Sequence, residues 1–139
     1  MAVNTFLFTF CVVHGSSMSP TLHEGDLVLL QIIGYTPEYG DIIVTDTNNN
    51  LNENLVKRVI GLSGDIIDFD ESGNVTVNGE TIDYNFDNDT YGNLEYPFTV
   101  PEGCAFIMGD NRNNSIDSRY SILGPVKYSD IQGKVIYKI

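Results

Sequence analysis

At 139 residues with a hydrophobic fraction of 42%, the chain has the length of one domain and the apolar content for one core. Seven basic against nineteen acidic residues leave a formal charge of −12, which repels phosphate and argues against a nucleic-acid partner. Two Ala against fourteen Asn, thirteen Gly and fifteen Phe or Tyr exclude a helical bundle, because helix formers are scarce and turn and strand formers abundant.

Short apolar runs separated by Gly, Asn, Asp and Pro predict an all-β domain of short, largely antiparallel strands spanning residues 1–139. In chain order the expected strands are Thr5–Val13, Leu27–Ile33, Asp41–Thr45, Leu55–Ile60, Asp65–Phe69, Asn74–Val77, Thr81–Tyr84, Phe98–Val100, Cys104–Met108 and Lys134–Ile139. Val77-Asn78-Gly79-Glu80 reads as a hairpin with a type I′ turn. The Asn-rich stretches 45–54 and 83–94 are the expected mobile loops, and a helical turn at Ser129–Ile131 would use Ser129 as its N-cap. The apolar run Phe6–Val13 has eight residues against the roughly 20 needed to cross a bilayer. The chain as given is expected to be soluble, and remains open to being part of an anchored protein. Cys11 and Cys104 show neither a CxxC spacing nor a Cys/His cluster. No metal, cofactor or disulfide scaffold is expected.

Four segments carry possible chemistry. Gly15 to Leu22 is a serine-rich turn after an extended apolar strand, where a serine can present its Oγ and backbone N–H together. It can equally be an ordinary turn. A serine nucleophile needs a base, and His14 and His23 lie within the same turn without a triad-like third member. Lys57 is the alternative base: on a strand it shares a face with Leu55 and Val59, and aliphatic neighbours lower an amine's pKa. The opposing reading is a lysine guarding an edge strand. The turn Gly61 to Asp65 looks structural. In Gly109 to Arg119, nine of eleven residues are polar or charged yet follow an apolar strand directly, which suggests a braced loop. There Asp117 can pair with Arg119, Ser115 can orient an amine, and Asp110 can pair with Arg58.

Taken together these segments resemble the type I signal peptidases. Ser17 to Leu22 with Gly25-Asp26 is similar to that family's nucleophile box, Lys57 to Asp65 to its lysine box, and Gly109 to Arg119 to its last box. Val100–Gly103 and Gly133-Lys134 extend the similarity over nearly the whole chain. The resemblance implies a β-barrel-like fold shared with the self-cleaving repressor peptidases. It implies a Ser-Lys dyad with Ser17 as nucleophile and Lys57 as general base. Ser115 would hydrogen-bond the lysine, while Asp117 with Arg119, and Asp110 with Arg58, would brace the site.

The short interval between the lysine box and the last box matches the compact Gram-positive relatives. The substrates implied are signal peptides of exported preproteins, cut after small residues on the extracytoplasmic face of the cell membrane. The anchoring transmembrane helix would lie upstream of Asn4 and is absent from this chain. Val13, Met18, Leu22, Leu55 and Val56 are the expected cleft lining, and a strand edge through Val13 is the expected docking line for an extended peptide.

Two departures from the pattern stand out. Ser63 replaces a usual proline, expected to soften a turn and do little else. Gly15 replaces a serine that in some members contributes to the oxyanion hole, leaving backbone N–H groups near Ser17 for that task. Ser16 is given no part, and its alanine variant is expected to keep most activity. The competing readings are a non-catalytic or narrowly dedicated assembly factor, as in pilus biogenesis, and a self-cleaving repressor-type domain. Ser17 with Lys57 argues against the first. The second would need an internal small-residue cleavage loop, which the sequence does not show.

Overall fold

The computed structural model describes residues 7–82 and 91–139. Among them there is no α-helix, and eleven strands carry the fold. In order they are β1 (Leu7–Val12), β2 (Leu27–Ile33), β3 (Ile42–Thr45), β4 (Val56–Gly61), β5 (Ile66–Phe69), β6 (Val75–Val77), β7 (Glu80–Thr81), β8 (Phe98–Thr99), β9 (Cys104–Met108), β10 (Val126–Lys127) and β11 (Ile131–Lys138). A seven-stranded sheet runs β1-β2-β11-β3-β4-β9-β10, and a four-stranded sheet runs β7-β6-β5-β8. Their strand pairs are antiparallel. The large sheet curls as a half-barrel with β1 and β10 at its edges.

β4 lies between β3 and β9 and serves all three apolar clusters. Val56 packs with Val13, Met18, Leu22 and Val28. Leu55 and Val59 pack with Ile43 and Ile107, and Ile60 packs with Ile67 and Phe106 against the smaller sheet. A strand that contributes to every cluster is buried on both faces. A polar side chain placed on it is therefore held away from water, which decides the character of the site.

The hairpin at Asn78-Gly79 has the positive φ values, 53° and 84°, of a type I′ turn. Two strands differ from expectation. β11 begins at Ile131, three residues earlier than expected, because its polar start at Gln132-Gly133 contains a register shift against β3. β10, only two residues long, has no periodicity to betray it. The turn expected at Ser129–Ile131 is a 3₁₀ turn at Tyr128–Asp130 with Lys127 in the cap position and no side-chain cap.

The Asn-rich stretch 45–54 is hydrogen-bonded rather than loose. Asn49 Nδ2 donates to the carbonyls of Asp46 (2.8 Å) and Glu53 (2.7 Å), and Asn54 Nδ2 to that of Thr45 (2.9 Å). Thr5 and Phe6 of the first expected strand, positions 83 and 84 of the seventh, and positions 83–90 of the second Asn-rich stretch lie outside the described residues.

Ser63 does more than soften its turn. Its N–H and hydroxyl both reach Tyr128 Oη (2.9 and 3.0 Å), and its Oγ accepts from the Gly103 N–H (2.8 Å). A proline would lack both donors.

Candidate active site

The chain leaves β1 at Val12 and enters a tight turn closed by Ser19 N–H to Ser16 O (3.1 Å), Thr21 N–H to Met18 O (2.8 Å) and Leu22 N–H to Met18 O (3.0 Å). Met18 and Leu22, 1% and 3% exposed, anchor the turn in the core. Ser17, between the buried Met18 and the exposed Ser16, is half-buried. Apolar pegs on one side of a turn leave the small polar residues on the other.

Lys57 projects from β4 and is only 4% exposed. Its Nζ lies 3.0 Å from Ser115 Oγ, and Ser115 Oγ donates to Asp117 Oδ2 at 2.8 Å. Asp117 is fully buried and gripped by Arg119, through Nε to Oδ1 (2.8 Å) and Nη2 to Oδ2 (2.9 Å). An ionised carboxylate only accepts, so the Ser115 proton points to Asp117 and the Ser115 lone pairs face the amine. Burial drives the Lys57 pKa down from 10.5 to about 8. The charge of Asp117 pulls it up and that of Arg119 pushes it down, both less than burial. A fraction of a neutral amine is therefore present at moderate pH.

On the opposite face, Arg58 pairs with Asp110 through Nε to Oδ1 (2.8 Å) and Nη2 to Oδ2 (2.7 Å), and its Nη1 donates to Gly40 O (2.7 Å). Thr21 Oγ1 donates to the same Asp110 (2.6 Å), so this pair joins the serine turn, β4 and the loop after β9. Gly109 lies where all three meet. A Cβ there would come within 2.3 Å of Ser115 Oγ and 2.6 Å of Ser17 O, so no larger residue fits without moving one of them.

Ser17, Lys57 and Ser115 line one open groove of about 430 Å³, together with Leu55, Val56 and Glu53. Of the expected cleft residues, Leu55 and Val56 lie there. Val13, Met18 and Leu22 do not: they belong to the core beneath the turn, where their apolar area is removed from water. The Val13 N–H and C=O are bonded to Asp26 O (2.9 Å) and Gly25 N (2.8 Å). Strand alternation therefore gives the outward edge to Val12 and His14 rather than Val13. His14 lines the groove rim, and His23 Nδ1 lies 3.5 Å from Ser19 Oγ. Sequence reading missed Glu53, which carries no motif, and the individual parts of Gly109, Asn111 and Asn114, which only the folded contacts reveal. Among the described residues no group of three His, Cys, Asp or Glu side chains could hold a metal ion.

The family described as signal peptidase, peptidase S26, matches residues 1–139. The chain belongs to that family. It is 38% identical over 152 aligned positions to signal peptidase I of Bacillus caldolyticus, covering 96% of this chain and 80% of that protein. It is 35% identical to the probable signal peptidase I-2 of Synechocystis sp., covering 86% of this chain but only 58% of the longer protein. Among solved structures, signal peptidase I from Enterococcus faecalis V583 superposes with a TM-score of 0.59 at 30% identity, covering 76% of this chain and all of that one. The S26 fold and the serine turn, lysine strand and braced loop are thus found together in one chain.

Proposed function

We propose that this chain is a serine endopeptidase that removes signal peptides from exported proteins, with Ser17 as nucleophile and Lys57 as general base. One observation carries the reading: a buried lysine amine, with its pKa lowered to about 8 and held by Ser115, shares a groove with a turn-borne serine. The neutral amine donates one hydrogen to Ser115 Oγ and keeps its lone pair for the Ser17 proton. Ser17 Oγ attacks the scissile carbonyl, whose developing oxyanion is received by the Ser17 N–H. The ammonium then protonates the departing amine. Lys57, neutral again, takes a proton from the water that hydrolyses the ester and returns it to Ser17.

The substrate fits the groove as an extended strand along the β1 edge at Val12 and His14. Leu55 and Val56 give its floor an aliphatic character suited to small side chains at the cleavage site. The neighbouring outer face supports work at a membrane surface. Phe8, Phe10 and Val12 alternate outward on β1 and are 50%, 61% and 45% exposed. Phe10 and Val12 stand across from Leu29 and Leu27 of β2, and Phe8 across from Gln31, with Tyr137 of β11 beside Leu29 and 66% exposed. Such a contiguous apolar patch is unusual on a freely soluble monomer. No described helix is long and apolar enough to cross a membrane.

The test is cleavage of a synthetic signal peptide with Ala at −1. Wild type should cut after that residue, Ser17→Ala should fold and not cut, and a peptide with Phe at −1 should resist wild type. Wild-type-like cleavage by Ser17→Ala would remove the nucleophile assignment. Ready cleavage after Phe would remove the small-residue pocket.

A further inference from the structure

Catalysis as proposed depends on the direction of one backbone N–H, and the loop after β9 controls it. Ser16 C=O and Ser17 N–H belong to the same planar, trans peptide unit and point in opposite directions. Ser16 O is held from two sides, by Asn111 Nδ2 at 3.0 Å and by the Ser19 N–H at 3.1 Å. Next to it, Ser17 O accepts from the Asn111 N–H at 2.8 Å. The Ser16 side chain is held too, since its Oγ accepts from Asn114 Nδ2 at 2.7 Å. Asn111 holds the cap position at the start of the short 3₁₀ turn Arg112–Asn114 and Asn114 is its last residue, a spacing that lets the two side chains straddle Ser16. With its carbonyl clamped toward this loop, the peptide unit must aim the Ser17 N–H the other way.

We infer that Asn111 and Asn114 are positioning residues that clamp the Ser16–Ser17 peptide and thereby aim the Ser17 N–H at the oxyanion. Asn111 acts through the carbonyl of Ser16, and Asn114 through its hydroxyl. Ser16 is then part of the clamp, contrary to the idle role its sequence position suggests. A built-in aim has particular value here because Gly15 offers no hydroxyl to the oxyanion. The inference rests on the peptidase reading above.

The chemistry of the two contacts predicts opposite outcomes for one substitution. Asn111→Asp replaces the donor with an acceptor facing a carbonyl that cannot donate, so the contact is lost and becomes repulsive. Asn114→Asp faces a hydroxyl that can reverse its role and donate to the new carboxylate. Steady-state cleavage of the synthetic signal peptide should show kcat lowered at least about 10-fold in Asn111→Asp, with KM within about twofold of wild type. Asn114→Asp should stay within about threefold, and Ser16→Ala should abolish that tolerance when combined with it. The acid limb of the pH profile should keep its position in Asn111→Ala and Ser16→Ala, which add no charge near Lys57, and melting temperatures of the Ser16 and Asn114 variants should hardly move because those side chains are exposed.

Should Asn111→Asp fold poorly, Asn111→Ala serves as the second variant, with a smaller fall in kcat at unchanged KM. Equal losses in the two aspartate variants, a loss appearing in KM, or near-normal kcat in both position-111 variants would overturn the clamp. Ser17→Ala run alongside separates the two ideas. An inactive Ser17→Ala with a fully active Asn111→Ala leaves the peptidase standing without the clamp, whereas an active Ser17→Ala removes the peptidase reading itself.

Discussion

Lys57 and Arg58 are neighbours on β4, yet the two faces of that strand treat their cations in opposite ways. Arg58 meets Asp110 bidentately, its remaining nitrogen reaches a backbone carbonyl, and its side chain is 15% exposed. Among the described residues, Lys57 meets no carboxylate directly. Ser115 stands between it and Asp117, and Arg119 occupies that carboxylate from the other side. One face pairs its charge and secures it, while the other leaves an amine desolvated and ready to lose its proton. A planar, permanently charged guanidinium suits the first task and a titratable point amine the second. Fold and reactivity are thus separated by the two-residue period of a strand.

Exchanging the two kinds of cation should break this division most severely. Lys57→Arg retains a positive charge but cannot lose it in the working range. The expected result is a folded protein, by circular dichroism, with signal-peptide cleavage below detection. In wild type, cleavage should rise with pH through about 8 as Lys57 loses its proton, and His14→Ala and His23→Ala should keep that limb. Near-normal turnover by Lys57→Arg, or loss of the limb in a histidine variant, would mean that another group is the base.

The opposite face should answer in stability. Asp110→Ala removes the carboxylate partner of Arg58 and the acceptor of Thr21, and so one of the ties between the serine turn, β4 and the loop. Removing one partner of a largely buried pair should cost on the order of 3 kcal/mol, read as a lowered midpoint in urea. A change below about 0.5 kcal/mol, the range of ordinary surface substitutions, would show that the Arg58 face is ornamental and that β4 holds the site without it.

The sequence made these two faces partly readable. Alternation along Leu55 to Ile60 placed Lys57 with Leu55 and Val59, and strand ends were mostly found to within two residues because each is bounded by Gly, Pro, Asn or Asp. The ionic partners were legible for a different reason: the loop concentrates its charges at positions that a turn brings together. Burial depth was not legible. Val13, Met18 and Leu22 adjoin Ser17 in the chain, but whether an adjacent apolar residue lines a cleft or anchors a turn depends on what packs beneath it. Ser63 and Asn111 were hidden likewise, because their partners are 40 or more residues away, and Gly109 because its need for no side chain arises only where Ser115 and Ser17 O close in on it.

The smallest expected effect sharpens the comparison, because it asks what the Lys57 face costs the fold. The Lys57 pKa falls from its ordinary 10.5 to about 8 on folding. Between those values the unfolded chain binds more protons than the folded one, so this group makes the folded state more stable as pH rises from 8 to 10.5. Below 8 both states carry the proton, and the full penalty of burying an ammonium remains. A shift of that size corresponds to about 3 kcal/mol, of which the hydrogen bond to Ser115 returns about 1 kcal/mol. Lys57→Met, an apolar side chain of similar length, should therefore be inactive yet about 2 kcal/mol more stable than wild type at pH 6.5. The gap should close as pH approaches 10.5. Paired urea titrations of the two proteins at pH 6.5 and 10 measure the difference, and titrations common to both cancel. If Lys57→Met were no more stable at pH 6.5, or if its advantage did not shrink toward pH 10, the amine would not be destabilised by its surroundings, and desolvation could not be what prepares it to take a proton.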